Sequence, residues 1–396
     1  MSLLGNILGM GFAYLLHFFM VRMLSQADYG DLSTLIAIAA LFAVPQLVLQ
    51  GLIAREIALA DKKKDRDLMG FIFRKYLVRY SLIGLLLGFA SSIIIIILFG
   101  GINTASIAGV VMLSSVPLIY MGSSILGYFQ GLEQIPVLAA YRALSPILRT
   151  SLAVALVYLG LGLVGAASAF TLAQLIFLPL LAYILLNTKT VKKHALSLRK
   201  SITLMGLTNF LMMFVLYADL LFVRFMLSAG EAGVYNTAAM TAKVLFFSTN
   251  ALVVVLLPKA TKLSFSKEMH SILALLVKGM LVLTPITIGF VLLAHPLITL
   301  FYTSAYSSAA LPLQILSVGL LLFALNTLIT NVFWSQKEER IPMAINAVGA
   351  LLAPLLLYFL VPSYGLVGAA VSTTIVSLLL AALSSAALVL KAKKVI

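Results

Sequence analysis

The sequence predicts an all-α polytopic membrane protein whose twelve transmembrane helices form two pseudo-symmetric six-helix bundles. The first observation is composition: of 396 residues, 62% are hydrophobic and 10% are charged, against about a quarter charged in a soluble domain. The second is the recurrence, from end to end, of continuously apolar runs of about twenty residues, the length that a helix needs to cross a bilayer. The third is an internal repeat whose period is half the chain.

The apolar runs place the spans in order, with charged or turn-forming residues between them. The predicted spans are residues 3–24, 32–53, 76–99, 106–129, 137–158, 164–186, 203–226, 234–257, 272–294, 309–333, 341–361 and 366–390. Uninterrupted apolar character excludes a transmembrane β-barrel, whose strands alternate apolar and polar residues.

The distribution of basic residues predicts the orientation of the spans. Lysine and arginine lie almost entirely in the even-numbered connections and the C-terminal tail, and such loops stay in the cytoplasm. We therefore expect both termini to be cytoplasmic. The net charge of +15 indicates membrane orientation and not binding to nucleic acid.

Repeated motifs divide the chain into halves. The motif GLVGAA occurs at 162–167 and 365–370, and Q-x-x-E-x-I-P occurs at 130–136 and 336–342. A "VR" pair ends spans one and seven, and a glycine–tyrosine turn follows each pair. These offsets, all about 203 residues, predict bundles at 1–188 and 203–396, joined by a basic cytoplasmic linker at 189–202. Parallel repeats of this kind are typical of secondary transporters, whose substrate site lies between the halves.

Titratable residues at membrane depth are functional candidates, because burying them without a partner is costly. Asp219 is the only acid well inside a predicted span. His17 occupies the equivalent position of the first half, since each residue precedes a "VR" arginine by five positions. We predict these two as the ion-coupling or switch groups, and the matching pair Asn6 and Asn209 as polar cavity residues. The alternatives are a polar contact that only fixes helix packing for Asp219 and an ordinary interior histidine for His17.

Five basic residues predict a cationic interior that favours an anionic substrate such as a phosphate or diphosphate. They are Arg22 and Arg224 at the extracytoplasmic ends of spans one and seven, Arg142 and Arg149 on one face of span five, and Lys243 in span eight. For the arginines at the span ends, snorkelling to the interface is the alternative.

The chain has none of the sequence signatures of an enzyme. It has no cysteine, no phosphate-binding G-x-x-x-x-G-K-[ST] loop and no H-E-x-x-H metal motif. We therefore predict no catalytic residues, no metal site and no cofactor, with H⁺ or Na⁺ as coupling ions that Asp219 or His17 could bind. The lone tryptophan, Trp334, is predicted as an aromatic anchor at the cytoplasmic interface.

Four stretches resemble the Wzx-type lipid-linked oligosaccharide flippases of the multidrug/oligosaccharidyl-lipid/polysaccharide exporter superfamily. They are MVRMLSQADYGDLSTL, YADLLFVRFMLSAGEAGVYNTAAMTAKVLFF, PLITLFYTSAYSSAALPLQIL and YGLVGAAVSTTIVSLL, in the family's order along the whole chain. Asp219 and Arg224 match the family's acid and flanking basic residue around span seven. Thr303 departs from the pattern, because such proteins often have glycine in that turn.

The resemblance implies a MATE-like, V-shaped pair of bundles that works by alternating access in a prokaryotic plasma (inner) membrane. It implies a polyprenyl-phosphate- or diphosphate-linked oligosaccharide as the load, for cell-surface glycan assembly, with glycan-assembly enzymes as further partners. The alternative is a cation-coupled multidrug or small-solute antiporter of the same superfamily. Those antiporters commonly place acids in the first half, and spans one to six of this chain have none. A non-transporting scaffold is a third reading.

Overall fold

The computed structural model describes residues 2–62, 66–188, 200–260 and 269–393, and these are almost entirely helical. They divide into two compact units, Met1–Ile202 and Thr203–Ile396. Most of the predicted linker, residues 189–199, lies outside the described residues.

The first unit begins with three long helices and continues with shorter segments. The α-helices in its described part are α1 (Ser2–Met23), α2 (Gln26–Lys62), α3 (Arg66–Leu98), α4 (Thr104–Leu113), α5 (Ser115–Gly131), α6 (Ile135–Leu156), α7 (Gly162–Leu172) and α8 (Phe177–Asn187). A π-helical turn (Val157–Leu161) follows α6, and a 3₁₀ turn (Ala173–Ile176) joins α7 to α8.

The second unit is also almost entirely helical in its described part, with its longest helix at the end. Its described α-helices are α9 (Lys200–Met226), α10 (Ala229–Ala242), α11 (Val244–Ala260), α12 (Met269–Leu292), α13 (Ala294–Phe301), α14 (Ala310–Ser335) and α15 (Arg340–Lys393). A 3₁₀ segment (Ser304–Ala309) precedes α14.

The helices account for the twelve predicted spans within the described residues. Eight stretches are long and apolar enough to cross a membrane, and two of them, Ile135–Asn187 and Arg340–Lys391, each contain two spans. The remaining two spans are α1 and the pair α10–α11. Large apolar side chains face outward, such as Leu86 on α3 at 71% exposed and Leu351 on α15 at 79%. Apolar exposure on this scale suits hydrocarbon and not water, so the chain is a multi-pass membrane protein.

The two GLVGAA copies make the same backbone turn. Gly162 has φ 48° and ψ −135°, and Gly365 has φ 56° and ψ −134°. Only glycine adopts this region readily, so each glycine ends one span and redirects the chain into the next. The second glycine of each motif has a different role, because a Cβ on Gly165 or Gly368 would collide with the preceding turn.

Polar side chains join the helices inside the second unit. Asn326 on α14 donates from Nδ2 to Asn346 Oδ1 on α15 at 3.1 Å, and its Oδ1 accepts from Ser384 Oγ at 2.6 Å. All three side chains are buried. Since Asn346 and Ser384 lie on either side of the Gly365 turn, this network fixes both segments of α15 against α14.

Candidate functional site

A buried carboxylate lies inside the second unit, where α9 packs against α10. Asp219 is 1% exposed, and its Oδ2 accepts a hydrogen bond of 2.9 Å from the hydroxyl of Tyr235. Its Oδ1 accepts from the backbone N–H of Leu220 at 2.8 Å. Tyr235 is also buried and hydrogen-bonds the side chain of Thr373 on α15. The carboxylate is therefore held by α9 and α10 and, through the tyrosine, by α15.

A buried ammonium lies near this carboxylate. Lys243 stands at the junction between α10 and α11 and is 1% exposed. Its Nζ has no hydrogen-bond partner in the described part of the chain, and it lies 4.2 Å from the ring centroid of Tyr217. Lys243 and Asp219 interact electrostatically. Because a lone buried charge is costly, each group compensates the other inside the unit.

The first unit carries a histidine–tyrosine pair at the equivalent position. His17 on α1 is buried, and its Nδ1 lies 3.1 Å from the hydroxyl of Tyr29 on α2. The two rings meet edge to face with their centroids 6.1 Å apart. Both units thus place a titratable side chain of their first helix against a buried tyrosine of their second helix.

Matching helix caps position these tyrosines. In the first unit, Ser25 Oγ accepts a hydrogen bond from the N–H of Asp28 at 3.0 Å, immediately before Tyr29. In the second unit, Ser228 Oγ accepts from the N–H of Glu231 at 3.2 Å, one turn before the corresponding tyrosine. These serine–acid caps satisfy backbone donors that the helix cannot satisfy itself. The caps set where α2 and α10 begin and hence which face carries the tyrosine.

Sequence reasoning identified the titratable member of each pair and missed the tyrosine. The structure brings Asp219 together with Lys243, while His17 lies in the other unit. Tyr29 and Tyr235 were visible only as part of the turn that follows each "VR" pair. The available signal was that a bulky aromatic residue recurs in an otherwise variable repeat.

Two arginines, Arg142 and Arg149, lie on α6 of the first unit. Arg149 is half-buried, and its guanidinium carbon lies 4.8 Å from the ring centroid of Phe170 on α7. Its Nε is buried and has no hydrogen-bond partner among the described residues. Arg142, two turns earlier on α6, is also half-buried. A guanidinium over an aromatic face keeps its in-plane N–H donors directed away from the ring, where they can bind an anion.

The two repeat arginines differ in their surroundings. Arg22 is exposed and folds back along α1, where its Nη1 donates to the carbonyl of Phe18 at 2.9 Å. Its guanidinium carbon lies 3.7 Å from the ring centroid of Phe18. Arg224 is half-buried near the end of α9. A substrate contact for either residue stays a prediction.

The paired asparagines have different outcomes. Asn6 belongs to α1, but its side chain lies outside the described residues. Asn209 on α9 is half-buried and lines a cavity of about 80 Å³ within the second unit. Trp334, which the sequence predicts as an interfacial anchor, lines the same cavity, and its Nε1 is buried.

Metal-binding groups do not cluster in the part of the chain that the structure describes. No three of its histidine, aspartate or glutamate side chains come together as potential ligands. Binding of a coupling H⁺ or Na⁺ at Asp219 or His17 stays a prediction.

Comparisons with known proteins point to one family. The family model described as polysaccharide biosynthesis protein matches residues 1–264. An uncharacterized membrane protein of Methanocaldococcus jannaschii is 23% identical over 400 residues, which cover 95% of this chain and 93% of that protein. The structure resembles the lipid II flippase MurJ in an inward-closed conformation, with TM-score 0.72 and 17% identity over 100% of this chain and 90% of that one. It also resembles an inward-facing multidrug resistance MATE family transporter of the MOP superfamily, with TM-score 0.71 and 15% identity over 97% and 94% of the two chains. These structural likenesses show a shared fold.

Proposed function

We propose that this chain, which belongs to the polysaccharide biosynthesis protein family, flips an oligosaccharide linked to a polyprenyl phosphate or diphosphate from the cytoplasmic to the outer leaflet. Family and fold together make it a multi-pass membrane flippase or transporter. The proposal adds the substrate, the prokaryotic plasma membrane, cytoplasmic termini and a role in cell-surface glycan assembly.

The observation that carries the proposal is the excess of basic groups within the apolar helices. In the first unit, Arg149 lies half-buried over Phe170, and its Nε has no hydrogen-bond partner among the described residues. Such groups are costly in an apolar helix and are retained where they serve a function. A phosphate or diphosphate is the anion whose geometry matches the planar fork of a guanidinium.

The buried pair of the second unit supports a switch. Asp219 compensates the ammonium of Lys243, whose Nζ has no hydrogen-bond partner in the described chain. Binding of H⁺ or Na⁺ at Asp219 would neutralise the carboxylate and remove that compensation. Lys243 would then gain more from contact with an anionic head group or with water. Ion binding at Asp219 would in this way favour a conformation that exposes the lysine.

Leaflet exchange in proteoliposomes tests the proposal. The purified chain is reconstituted with a fluorescently labelled polyprenyl-diphosphate oligosaccharide, and a membrane-impermeant reductant quenches the label in the outer leaflet. We expect wild-type protein to accelerate exchange. Arg149→Met should slow exchange about tenfold or more, which corresponds to a charge-assisted hydrogen bond of about 1.5–3 kcal/mol. Lys278→Gln, which removes an exposed cation from α12, is the matched control and should leave the rate unchanged.

Two results would contradict the proposal. One is the absence of accelerated exchange by wild-type protein whose folding is verified by its melting curve. The other is ion-driven uptake of an organic cation such as ethidium by the same vesicles without lipid exchange. That second outcome would support the multidrug antiporter.

A further inference from the structure

The cavity of the second unit has a lining that is polar without being charged. Three carboxamides line it, Asn209 on α9, Asn250 on α11 and Asn331 on α14, and Thr327 on α14 lies beside them. None of the described residues that line the cavity is charged. A phosphate or an organic cation would find no counter-charge here. The cavity therefore differs in chemistry from the cationic groups of the proposed head-group site.

The asparagines of α14 divide into a packing residue and a cavity residue. Asn326 is fully buried and hydrogen-bonds Asn346 and Ser384, which holds two helices together. Asn331 is only half-buried, and its Nδ2 donates to the carbonyl of Thr327 in its own helix at 2.8 Å. That bond uses one of the two N–H donors of the amide and none of its acceptor capacity. Helix packing therefore accounts for Asn326, whereas the amide of Asn331 can bind a ligand.

The rest of the lining is apolar or aromatic. Met213 on α9, Phe246 on α11 and the half-buried Trp334 on α14 belong to it. A carboxamide both donates and accepts hydrogen bonds, whereas a metal cation uses acceptors alone. The face of an aromatic ring carries partial negative charge and attracts polarised C–H groups. A neutral sugar matches both parts of this lining, because hydroxyl groups surround a ring whose faces carry C–H bonds.

The cavity lies toward the end of the second unit that the proposed function assigns to the cytoplasm. Asn209 is in the first half of α9, which begins at the basic linker. Asn331 and Trp334 are in the last two turns of α14, before the connection that carries Lys337 and Arg340. An oligosaccharide that is loaded from the cytoplasm reaches this end of the helices first.

We propose that this cavity binds the hydroxyl groups of a neutral sugar in the transported oligosaccharide. The amides of Asn250 and Asn331 exchange hydrogen bonds with those hydroxyls, and Phe246 and Trp334 pack against the C–H face of the ring. Carboxamides thus recognise the glycan, while basic side chains recognise the anionic head. This inference rests on the proposed function, because it assigns part of the transported load, but binding is measured without transport.

Trp334 makes the test direct, because it is the only tryptophan in the chain and lines this cavity. The folded chain in phosphatidylcholine nanodiscs is titrated with soluble trisaccharides of glucose, of mannose and of galactose. We expect at least one of them to give a saturable change in emission and, in saturation-transfer NMR, contact between its ring protons and the protein. Its fully O-methylated form, which has no hydroxyl donors, should bind weaker by about tenfold or more. Tetraethylammonium, the probe for an organic-cation site, should leave the emission unchanged.

Two variants remove a carboxamide, and a third is the matched control. Asn250→Leu and Asn331→Leu keep a side chain of similar size without the amide, so each should weaken binding of the responding trisaccharide by about threefold to tenfold. Asn187→Leu changes an exposed amide in the first unit. Like Asn331, Asn187 hydrogen-bonds the carbonyl four residues earlier in its own helix, and its replacement should leave binding unchanged. A melting curve verifies that each variant is folded.

The absence of both signals for all of the trisaccharides, in protein that is folded, would overturn the assignment. Equal binding of the O-methylated sugar, or a response to tetraethylammonium alone, would overturn it as well. Failure of the proposed function is a separate outcome, since a chain that binds a trisaccharide without exchanging lipid would contradict the flippase and not the sugar site. Conversely, lipid exchange without trisaccharide binding would refute only the sugar site.

Discussion

Replacing Asp219 by asparagine should destabilise the second unit because it leaves the ammonium of Lys243 buried without a counter-charge. Lys243 is 1% exposed, and its Nζ has no hydrogen-bond partner among the described residues. Replacing Lys243 by methionine, which keeps the shape of the side chain, should destabilise less. The carboxylate would keep its hydrogen bonds from Tyr235 and from the N–H of Leu220. The double replacement removes both charges together.

The expected magnitudes follow from these contacts. Breaking a buried pair by removing one partner costs about 3–5 kcal/mol. The cation–π contact of Lys243 with Tyr217 is present before and after Asp219 is replaced, so it does not change this figure, and the lower end applies because the two charges are not in direct contact. We therefore expect a loss of about 3 kcal/mol for Asp219→Asn and about 2 kcal/mol for Lys243→Met. The double variant should lose at most about 2 kcal/mol, because replacing both charges of a buried pair by neutral groups often costs little. The sum of the two single losses would then exceed the loss of the double variant by at least about 3 kcal/mol.

The measurement is reversible unfolding of the purified chain in mixed micelles, followed by circular dichroism as the fraction of dodecyl sulfate rises. Asp67→Asn, which changes an exposed acid on α3, is the matched control and should shift the free energy of unfolding by less than about 0.5 kcal/mol. Strict additivity of the two single replacements would refute the reasoning. It would mean that Lys243 and Asp219 do not compensate each other in the folded protein.

Three further predictions concern the fold, and each is read from the melting temperature or hydrogen exchange in detergent. Gly365→Ala should lower the free energy of unfolding by about 1–3 kcal/mol, because the φ of 56° at this position suits only glycine. Gly289→Ala, at a helical site with open space, is the control and should not destabilise the protein. Equal melting temperatures for the two variants would contradict this prediction. Arg74 Nη2 donates to the carbonyls of Leu185 at 3.0 Å and Thr188 at 2.8 Å and so caps the C-terminal end of α8. Arg74→Met should therefore speed amide exchange in the last turn of α8. Unchanged exchange would show that these two hydrogen bonds do not stabilise the helix end. Lys391→Met should lower the free energy of unfolding by less than about 1 kcal/mol, because its ion pair with Glu338 is about one-third exposed and solvent screens it. A larger loss would show that solvent screens this ion pair less than expected.

The sequence predicted the number, order and approximate centres of the spans because hydrocarbon burial requires long apolar runs. It predicted their ends less well. Span two was expected at 32–53, but α2 covers Gln26–Lys62, and α3 begins at Arg66 and not at residue 76. Hydropathy marks only the part of a helix that meets lipid, whereas caps such as Ser25 with Asp28 decide where the helix begins.

The candidate site was predictable only in part. The repeat identified His17 and Asp219 as equivalent, since both stand at a fixed distance from an arginine. Their partners, Tyr29 and Tyr235, lie on the following helix of each unit, and no local sequence pattern indicates which face of that helix contacts His17 or Asp219. Trp334 illustrates the same limit. A lone tryptophan at the end of a span predicts an anchor at the membrane interface, whereas in the structure Trp334 lines a cavity together with residues of α9, α11 and α14.

The measurement that tests the central claim most directly is head-group selectivity in the exchange assay. Proteoliposomes receive one labelled glycan on two carriers, a polyprenyl diphosphate and the neutral polyprenyl glycoside. If basic side chains such as Arg149 bind the anionic head, exchange of the diphosphate-linked lipid should be at least tenfold faster, and Arg149→Met should reduce that ratio. Equal rates for both carriers with wild-type protein would contradict the account.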